Sequence, residues 1–208
     1  MKRLSLHYIL LSVLLLSCAS TNQIGRDFNH HSISSLALGT TTPQQAIALL
    51  GKPNTTQSIS NNDGEFDVFN FSNANVEIWL GTIQDARSLE LVFYQPPDAP
   101  KKVLDSYFFF SSYQPDQHDT LITDIDEIKK GLTTQNAVLS LLGEPNGKSL
   151  NHVKGSRASA DDLIVDEYWT YISWAKEDKQ PVQMLVQLGF DTLGIVRAIT
   201  KSKKTAPL

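Results

Sequence analysis

Few residues of this sequence have the types and spacing that catalysis or metal binding requires. The chain has one cysteine and five histidines, and it contains neither a Gly-x-Ser-x-Gly nucleophile turn nor a His-Glu-x-x-His zinc helix. The pair His30-His31 and the group Asp116, His118 and Asp119 could each hold a cation. Both are more simply interpreted as solvated polar segments, because no further ligand at metal-binding spacing accompanies them. We therefore predict no catalytic residue, no metal and no cofactor, and a protein that is not an enzyme.

The single cysteine, Cys18, follows an N-terminal segment with three parts. Lys2 and Arg3 carry positive charge, residues 9–16 are mostly apolar, and the small residue Ser17 precedes the cysteine. The apolar run is far shorter than the roughly 20 residues that cross a bilayer. It therefore predicts a signal peptide over residues 1–17. The stretch Leu-Leu-Ser-Cys that ends at Cys18 resembles the lipobox of bacterial lipoproteins.

The lipobox resemblance implies cleavage before Cys18 and lipid attachment to that cysteine, which would explain a lone thiol in an exported protein. The alternative is an ordinary secretory signal followed by a cysteine by coincidence. Ala19 stands where an Asp would retain a lipoprotein in the inner membrane. The resemblance therefore implies the periplasmic side of the outer membrane. Residues 18–32 are polar and lack periodicity, so they predict a flexible, lipidated tether.

Composition limits the classes of partner. Hydrophobic residues make up 41% of the chain and charged residues 19%, which is typical of a globular protein. The net charge of −4 argues against a nucleic-acid partner, because phosphate binding needs clustered Lys and Arg.

An internal repeat is the strongest pattern in the sequence. Residues 39–54 (GTTTPQQAIALLGKPN) and residues 131–146 (GLTTQNAVLSLLGEPN) are identical at eight of 16 positions, at a constant offset of 92. In the first copy, Thr42 is a suitable N-cap, Pro43 suits the first helical turn, and Gln45 completes a capping box. Each copy therefore predicts a short capped helix. Upstream apolar residues spaced i, i+3 predict a second short helix before it.

Strand-like segments follow the helical motif in each copy. The predicted fold class is therefore α+β, with two tandem copies of a helix–turn–helix followed by an antiparallel meander of three or four strands. The first α+β repeat spans 33–113 and the second spans 120–202, with a polar tail at 203–208.

The repeated motif, read in the second copy from Ile128 through Gly131 and Thr134 to Gly143 and Pro145, resembles the SmpA/OmlA family. These are small outer-membrane lipoproteins that include the E subunit of the β-barrel assembly machine. Both copies have one extra residue between the glycine and the capping threonine. Two units in tandem also resemble the architecture of the secreted β-lactamase inhibitor protein, which binds an enzyme with its sheet surface.

Aromatic residues on strands are the candidates for binding a partner protein. Alternation places Trp79 opposite the apolar residues of its strand, on the open face of the first sheet. In the second copy, Trp169 and Tyr171 share a face. Trp and Tyr are common at binding hot spots, so Trp79, Trp169 and Tyr171 are candidate protein-binding residues. The alternative is that these aromatic side chains belong to the core or to packing between the repeats.

These features predict an outer-membrane-anchored periplasmic lipoprotein that acts by binding. The main hypothesis is a scaffold subunit in envelope or outer-membrane protein assembly, because the lipobox and the family resemblance both point to the envelope. The alternative is an inhibitor or regulator of a periplasmic enzyme, which would need an aromatic surface that spans both copies. The sequence does not identify the partner or the oligomeric state.

Overall fold

The repeated sequence forms short α-helices whose first turns are fixed by the predicted caps. In the computed structural model, which describes residues 21–77, 82–112, 124–151, 164–177 and 180–205, helix α1 spans Pro43–Leu50 and helix α2 spans Gln135–Leu142. The Thr42 hydroxyl accepts a hydrogen bond from the Gln45 amide, and the Gln45 side chain accepts one from the Thr42 amide. The predicted capping box is therefore confirmed. Thr134 caps α2 by accepting a single hydrogen bond from the backbone.

Within the described ranges, nine strands form one antiparallel sheet. Its order is β1–β3–β4–β5–β6–β7–β8–β9, and β2 pairs with the same edge of β3 as β1 does. The strands are β1 (Thr21–Gly25), β2 (Thr55–Asn61), β3 (Gly64–Glu77), β4 (Thr82–Gln95), β5 (Val103–Ser111), β6 (Gly147–Leu150), β7 (Glu167–Glu177), β8 (Gln180–Phe190) and β9 (Val196–Thr205).

The predicted fold class is wrong. The part of the chain that the structure describes is mostly one nine-stranded antiparallel sheet, and not a tandem pair of helix–turn–helix plus meander units. Two physical reasons account for the error. The segments His30–Ser35 and Asp124–Glu127 form 3₁₀ turns and not α-helices. Apolar spacing of i, i+3 does not separate the two, because a 3₁₀ turn aligns residues i and i+3 as well as an α-helix does. The short polar strand β6 pairs with both β5 and β7, which merges the predicted meanders.

Part of the predicted tether, residues 18–32, forms a strand and contributes to the core. Residues 21–25 form β1, and Phe28 is 5% exposed in the first core cluster. No sequence pattern predicts β1, because an edge strand is held by backbone pairing and needs no apolar periodicity. The predicted signal peptide over residues 1–17 and Cys18 lie outside the described residues, as do residues 206–208 of the predicted polar tail. Among the described helices, none has the length and apolar character needed to cross a membrane.

The hydrophobic core consists of two clusters on one face of the sheet. Helix α1 contributes Ala46 and Leu50 to the first cluster, and helix α2 contributes Val138 and Leu142 to the second. Their strand residues alternate along each strand, as expected for a sheet with one covered face. The buried strand residues are Phe69, Phe71, Leu89, Leu91, Phe93, Leu104 and Tyr107 in the first cluster, and Trp169, Tyr171, Val186, Leu188, Phe190 and Val196 in the second.

Repeated residues make equivalent backbone contacts in both halves. The Gly39 amide donates to the Leu104 carbonyl at 2.7 Å, and the Gly131 amide donates to the Val196 carbonyl at 2.8 Å. Both glycines have positive φ, +70° and +78°, a conformation that costs other residues strain. The acceptors lie the same 92 residues apart as the donors. The sequence repeat is therefore also a repeat of backbone contacts.

The repeated asparagines connect separate strands through their side chains. The Asn54 Oδ1 atom accepts a hydrogen bond from the Ser72 amide at 2.8 Å. The Asn146 Oδ1 atom accepts one from the Ile172 amide at 2.7 Å, while its backbone carbonyl accepts one from the Phe109 amide. Asn146 therefore ties β5 to β7 where the two halves meet.

We expect Asn146→Ala to lower the free energy of unfolding by about 1–2 kcal/mol, because the partly buried Ile172 amide would lose its acceptor. Asn136→Ala is the matched control, since Asn136 is exposed on α2 and alanine favours helix. Urea unfolding of both variants measures the difference. Equal stability of Asn146→Ala and the unchanged chain would show that the bridge contributes nothing.

Asp191 organises the turn before β9. Its Oδ1 atom accepts hydrogen bonds from the Leu193 and Ile195 amides, and its Oδ2 atom lies 2.7 Å from the Arg197 guanidinium. The hydrogen bond from Ile195, supported by Arg197, lowers the pKa of Asp191 despite the opposing effect of desolvation. A lowered folded-state pKa stabilises the protein above the unfolded value of about 3.9, and this stabilisation is lost as the pH falls through the folded value.

Asp191→Asn should therefore be less stable than the unchanged chain near neutral pH, and the gap should narrow as the pH falls below about 4. Urea unfolding across the acid range measures this. A gap that stays constant with pH would contradict the assigned role of the Asp191 charge.

Candidate functional site

The second face of the sheet carries a row of aromatic and aliphatic side chains. Directly paired residues on antiparallel strands point to the same side, so the register identifies the residues opposite the core. We call this side the open face. Its larger apolar residues are Ile59 on β2, Phe66 and Val68 on β3, Val92 and Tyr94 on β4, Phe108 and Phe110 on β5, Tyr168, Ile172 and Trp174 on β7, and Leu185 on β8.

Both helices and both 3₁₀ turns contribute residues to the core clusters on the opposite side. Within the described ranges, no helix packs on the open face. Three of the large exposed hydrophobic residues lie there: Ile24 is 60% exposed, Ile59 45% and Trp174 51%. Exposed apolar groups that line up on one face are typical of a surface that binds another molecule.

The open face is nearly free of charge. Its other paired positions are mostly Ser, Thr, Asn, Gln, Gly and Ala, and the charged residues at paired positions are Glu90, Lys176 and Lys204. Protein-binding surfaces are enriched in aromatic residues and depleted of charge at their centre. One aromatic pair is already ordered, because the Phe66 and Tyr94 rings stack with centroids 4.7 Å apart and the Tyr94 hydroxyl donates to the Asp63 carbonyl.

The structure places two of the three predicted binding residues in the core. Trp169 and Tyr171 are each 3% exposed. The Trp169 indole N–H donates to the Glu167 carboxylate, and the Tyr171 hydroxyl donates to the Gly143 carbonyl at 3.1 Å. Their burial leaves them inaccessible to a partner. Trp79 lies outside the described residues.

The neighbouring row of β7 is the one that faces outward. This row consists of Tyr168, Ile172 and Trp174, which alternate with Trp169 and Tyr171. Both sides of β7 carry polar and apolar residues, so the sequence pattern does not show which side is buried. The sequence signal that could have separated them is the buried run of β8, since Val186 and Leu188 pair with Tyr171 and Trp169. Glu167 shares a side of β7 with Trp169 and Tyr171, and a charged residue usually indicates the solvent side. Here its carboxylate accepts the hydrogen bond of the Trp169 indole, so that side is the core side.

The histidine pair lies on the core side of the sheet, in the first 3₁₀ turn. The His30 and His31 rings have centroids 4.0 Å apart, and His30 stacks parallel to Phe109. Among the described residues, no group of three or more His, Cys, Asp or Glu is placed to hold a metal ion. Asp116, His118 and Asp119 lie outside the described residues.

Comparison with known proteins yields one structural neighbour. No protein-family model matches the chain, and no curated protein matches it in sequence, so neither comparison supports the SmpA/OmlA resemblance. A crystal structure of a Streptococcus mutans protein, provisionally described as a beta-lactamase inhibitor protein, is similar with a TM-score of 0.48 and 16% identity. The match covers 83% of this chain and 93% of the neighbour.

We expect a tryptophan on the core side and one on the open face to differ in their contribution to stability. Trp169→Ala should destabilise the protein by about 3–5 kcal/mol, because it empties a buried site beneath α2. Trp174→Ala should change stability by less than about 1 kcal/mol, because half of that side chain is already exposed to water. Urea unfolding compares the two variants. Similar losses in both would mean that Trp174 is covered.

Proposed function

We propose that this chain is a lipid-anchored protein of the bacterial envelope that binds a partner protein across the open face of its sheet. The observation that carries the proposal is the continuity of that face. Apolar residues from Ile59 on β2 to Trp174 on β7 lie on one side of one sheet, and few charges interrupt them. Large aromatic side chains on such a surface supply most of the binding energy in protein complexes.

The partner class that we propose is an exported or periplasmic enzyme, which the chain would inhibit or regulate by stoichiometric binding. An inhibitor of this kind needs an aromatic surface that spans both halves, and the open face has that extent. The first enzyme to test is a β-lactamase, because the tandem sequence resembles the architecture of the secreted β-lactamase inhibitor protein. Lipid on Cys18 would keep the inhibitor at the periplasmic side of the outer membrane.

A second candidate function is a scaffold subunit in envelope or outer-membrane protein assembly. The lipobox-like sequence before Cys18 favours it, because a scaffold depends on its position in the membrane. The open face would then bind another subunit of the assembly.

The test is co-purification of partners from mildly solubilised envelopes with the full chain and with charge variants of exposed apolar residues. Ile59→Glu and Trp174→Glu, at opposite ends of the open face, should each reduce recovered partner by tenfold or more, because burial of a hot-spot residue contributes about 2 kcal/mol or more. Ile47→Glu on α1 and Leu132→Glu in a turn are the matched controls. The proposal would be contradicted if the control variants reduced the recovered partner as much as the open-face variants do. It would also be contradicted if neither open-face variant reduced it.

Cys18→Ala separates the two functions. An inhibitor should still recover a single soluble enzyme, and purified chain should abolish that enzyme's activity at equimolar amounts. A scaffold should lose its membrane partners when the anchor is absent. Recovery of membrane components equally with and without the anchor would contradict both roles assigned to Cys18.

A further inference from the structure

A small cavity lies where the two halves meet, on the helix side of the sheet and away from the open face. Its volume is about 180 Å³. Rings of His30, His31, Tyr107 and Phe109 form much of its wall, and Glu144 and Pro145 of the segment after α2 line its other side. Because the first 3₁₀ turn belongs to one half and Glu144 to the other, the cavity exists only when the halves are joined.

The Tyr107 side chain forms part of the cavity wall. Tyr107 is 6% exposed, and its hydroxyl oxygen stays open to solvent, because the one fully buried side-chain polar atom without a partner in the described part of the chain is the Ser173 Oγ atom. Tyrosine hydroxyl groups usually find a partner when they are buried. A second buried tyrosine does so within the protein, because the Tyr171 hydroxyl donates to the Gly143 carbonyl. A hydrogen-bond donor bound in the cavity would replace water at the Tyr107 hydroxyl.

Two carboxylates lie near enough to act on the Tyr107 hydroxyl. Burial, and then the charges of Glu144 and Glu167, raise the pKa of the Tyr107 hydroxyl above its ordinary value. Lys148 pairs with Tyr107 across β5 and β6. Its ammonium lies 3.9 Å from Glu144 and over the Trp169 ring, 4.4 Å from the ring centroid. This ion pair is long and Glu144 is well exposed, so Glu144 keeps the capacity to attract a second cation.

We propose that this cavity binds an alkylammonium group of the size of a lysine side chain. The ammonium would donate a hydrogen bond to the Tyr107 oxygen and lie near the Glu144 carboxylate. Its methylenes would pack against Phe109 and Pro145, and the aromatic rings would attract the positive charge through their π faces. The small volume favours one unbranched chain. This inference does not depend on the open face having a partner.

The test is an NMR titration of the full chain, carrying Cys18→Ala in mild detergent, with n-butylammonium chloride. A pH of about 8 keeps ordinary histidines neutral. Saturable amide shifts should centre on Tyr107, Phe109 and Asn146, in the millimolar range expected for a ligand of so few atoms. The neutral probe n-pentanol, of similar size, should bind at least about tenfold more weakly, because it lacks the charge that Glu144 attracts.

Two variants remove the proposed contacts one at a time. Tyr107→Phe keeps the ring and removes the hydroxyl, and Glu144→Gln removes the charge. Each should weaken butylammonium binding by about fivefold or more, while the control Glu90→Gln, on the open face, should leave it unchanged. The amide spectrum of each variant checks that the fold is retained.

Nα-acetyl-lysine amide distinguishes the source of the amine. Binding as tight as that of butylammonium would indicate a lysine side chain inserted end-on from a protein. Binding of butylammonium alone would indicate a free small amine. Absence of saturable shifts, equal binding of n-pentanol, or unchanged binding by both variants would overturn the proposal.

Discussion

Three residue pairs between β5 and β6 determine the shape of the whole molecule. The pairs are Ser106 with Ser149, Tyr107 with Lys148, and Phe108 with Gly147. They join two meanders into one sheet. Gly147 is essential to this approach, since a Cβ atom there would lie 2.7 Å from the Tyr107 carbonyl oxygen. Because paired residues share a face, the junction also forces both cores to one side and both outer rows to the other.

The single-sided sheet has a direct consequence for what the protein can do. In the described part of the chain, two short helices and two 3₁₀ turns cover only the core face, so the aromatic residues of the other face from both halves lie on one side of one sheet. Its few charges and many Ser, Thr, Asn and Gln residues suit contact with another folded protein better than an interior packing role. The same junction creates the small cavity on the opposite side. Surface and cavity therefore depend on one set of backbone contacts.

The sequence was sufficient where local chemistry decides structure and insufficient where long-range pairing does. The Thr42 cap and the Pro43 start followed from residue types, because a helix cap is determined by near neighbours. Strands β1, β2 and β6 are short and polar, so they lack the hydrophobic alternation from which a strand is predicted. The choice between the two rows of β7 failed for a related reason. It depends on which row pairs with Val186 and Leu188, which a single strand does not reveal.

The most direct test of the account is site-specific photocrosslinking of the lipidated chain in living cells. A photoreactive phenylalanine analogue would replace Phe108 or Tyr168 on the open face, or Ile47 or Leu132 away from it. The account predicts crosslinks to one protein from the two open-face positions and none to that protein from the other two. Crosslinks from Ile47 or Leu132 alone would place the binding surface on the helix side and contradict the account.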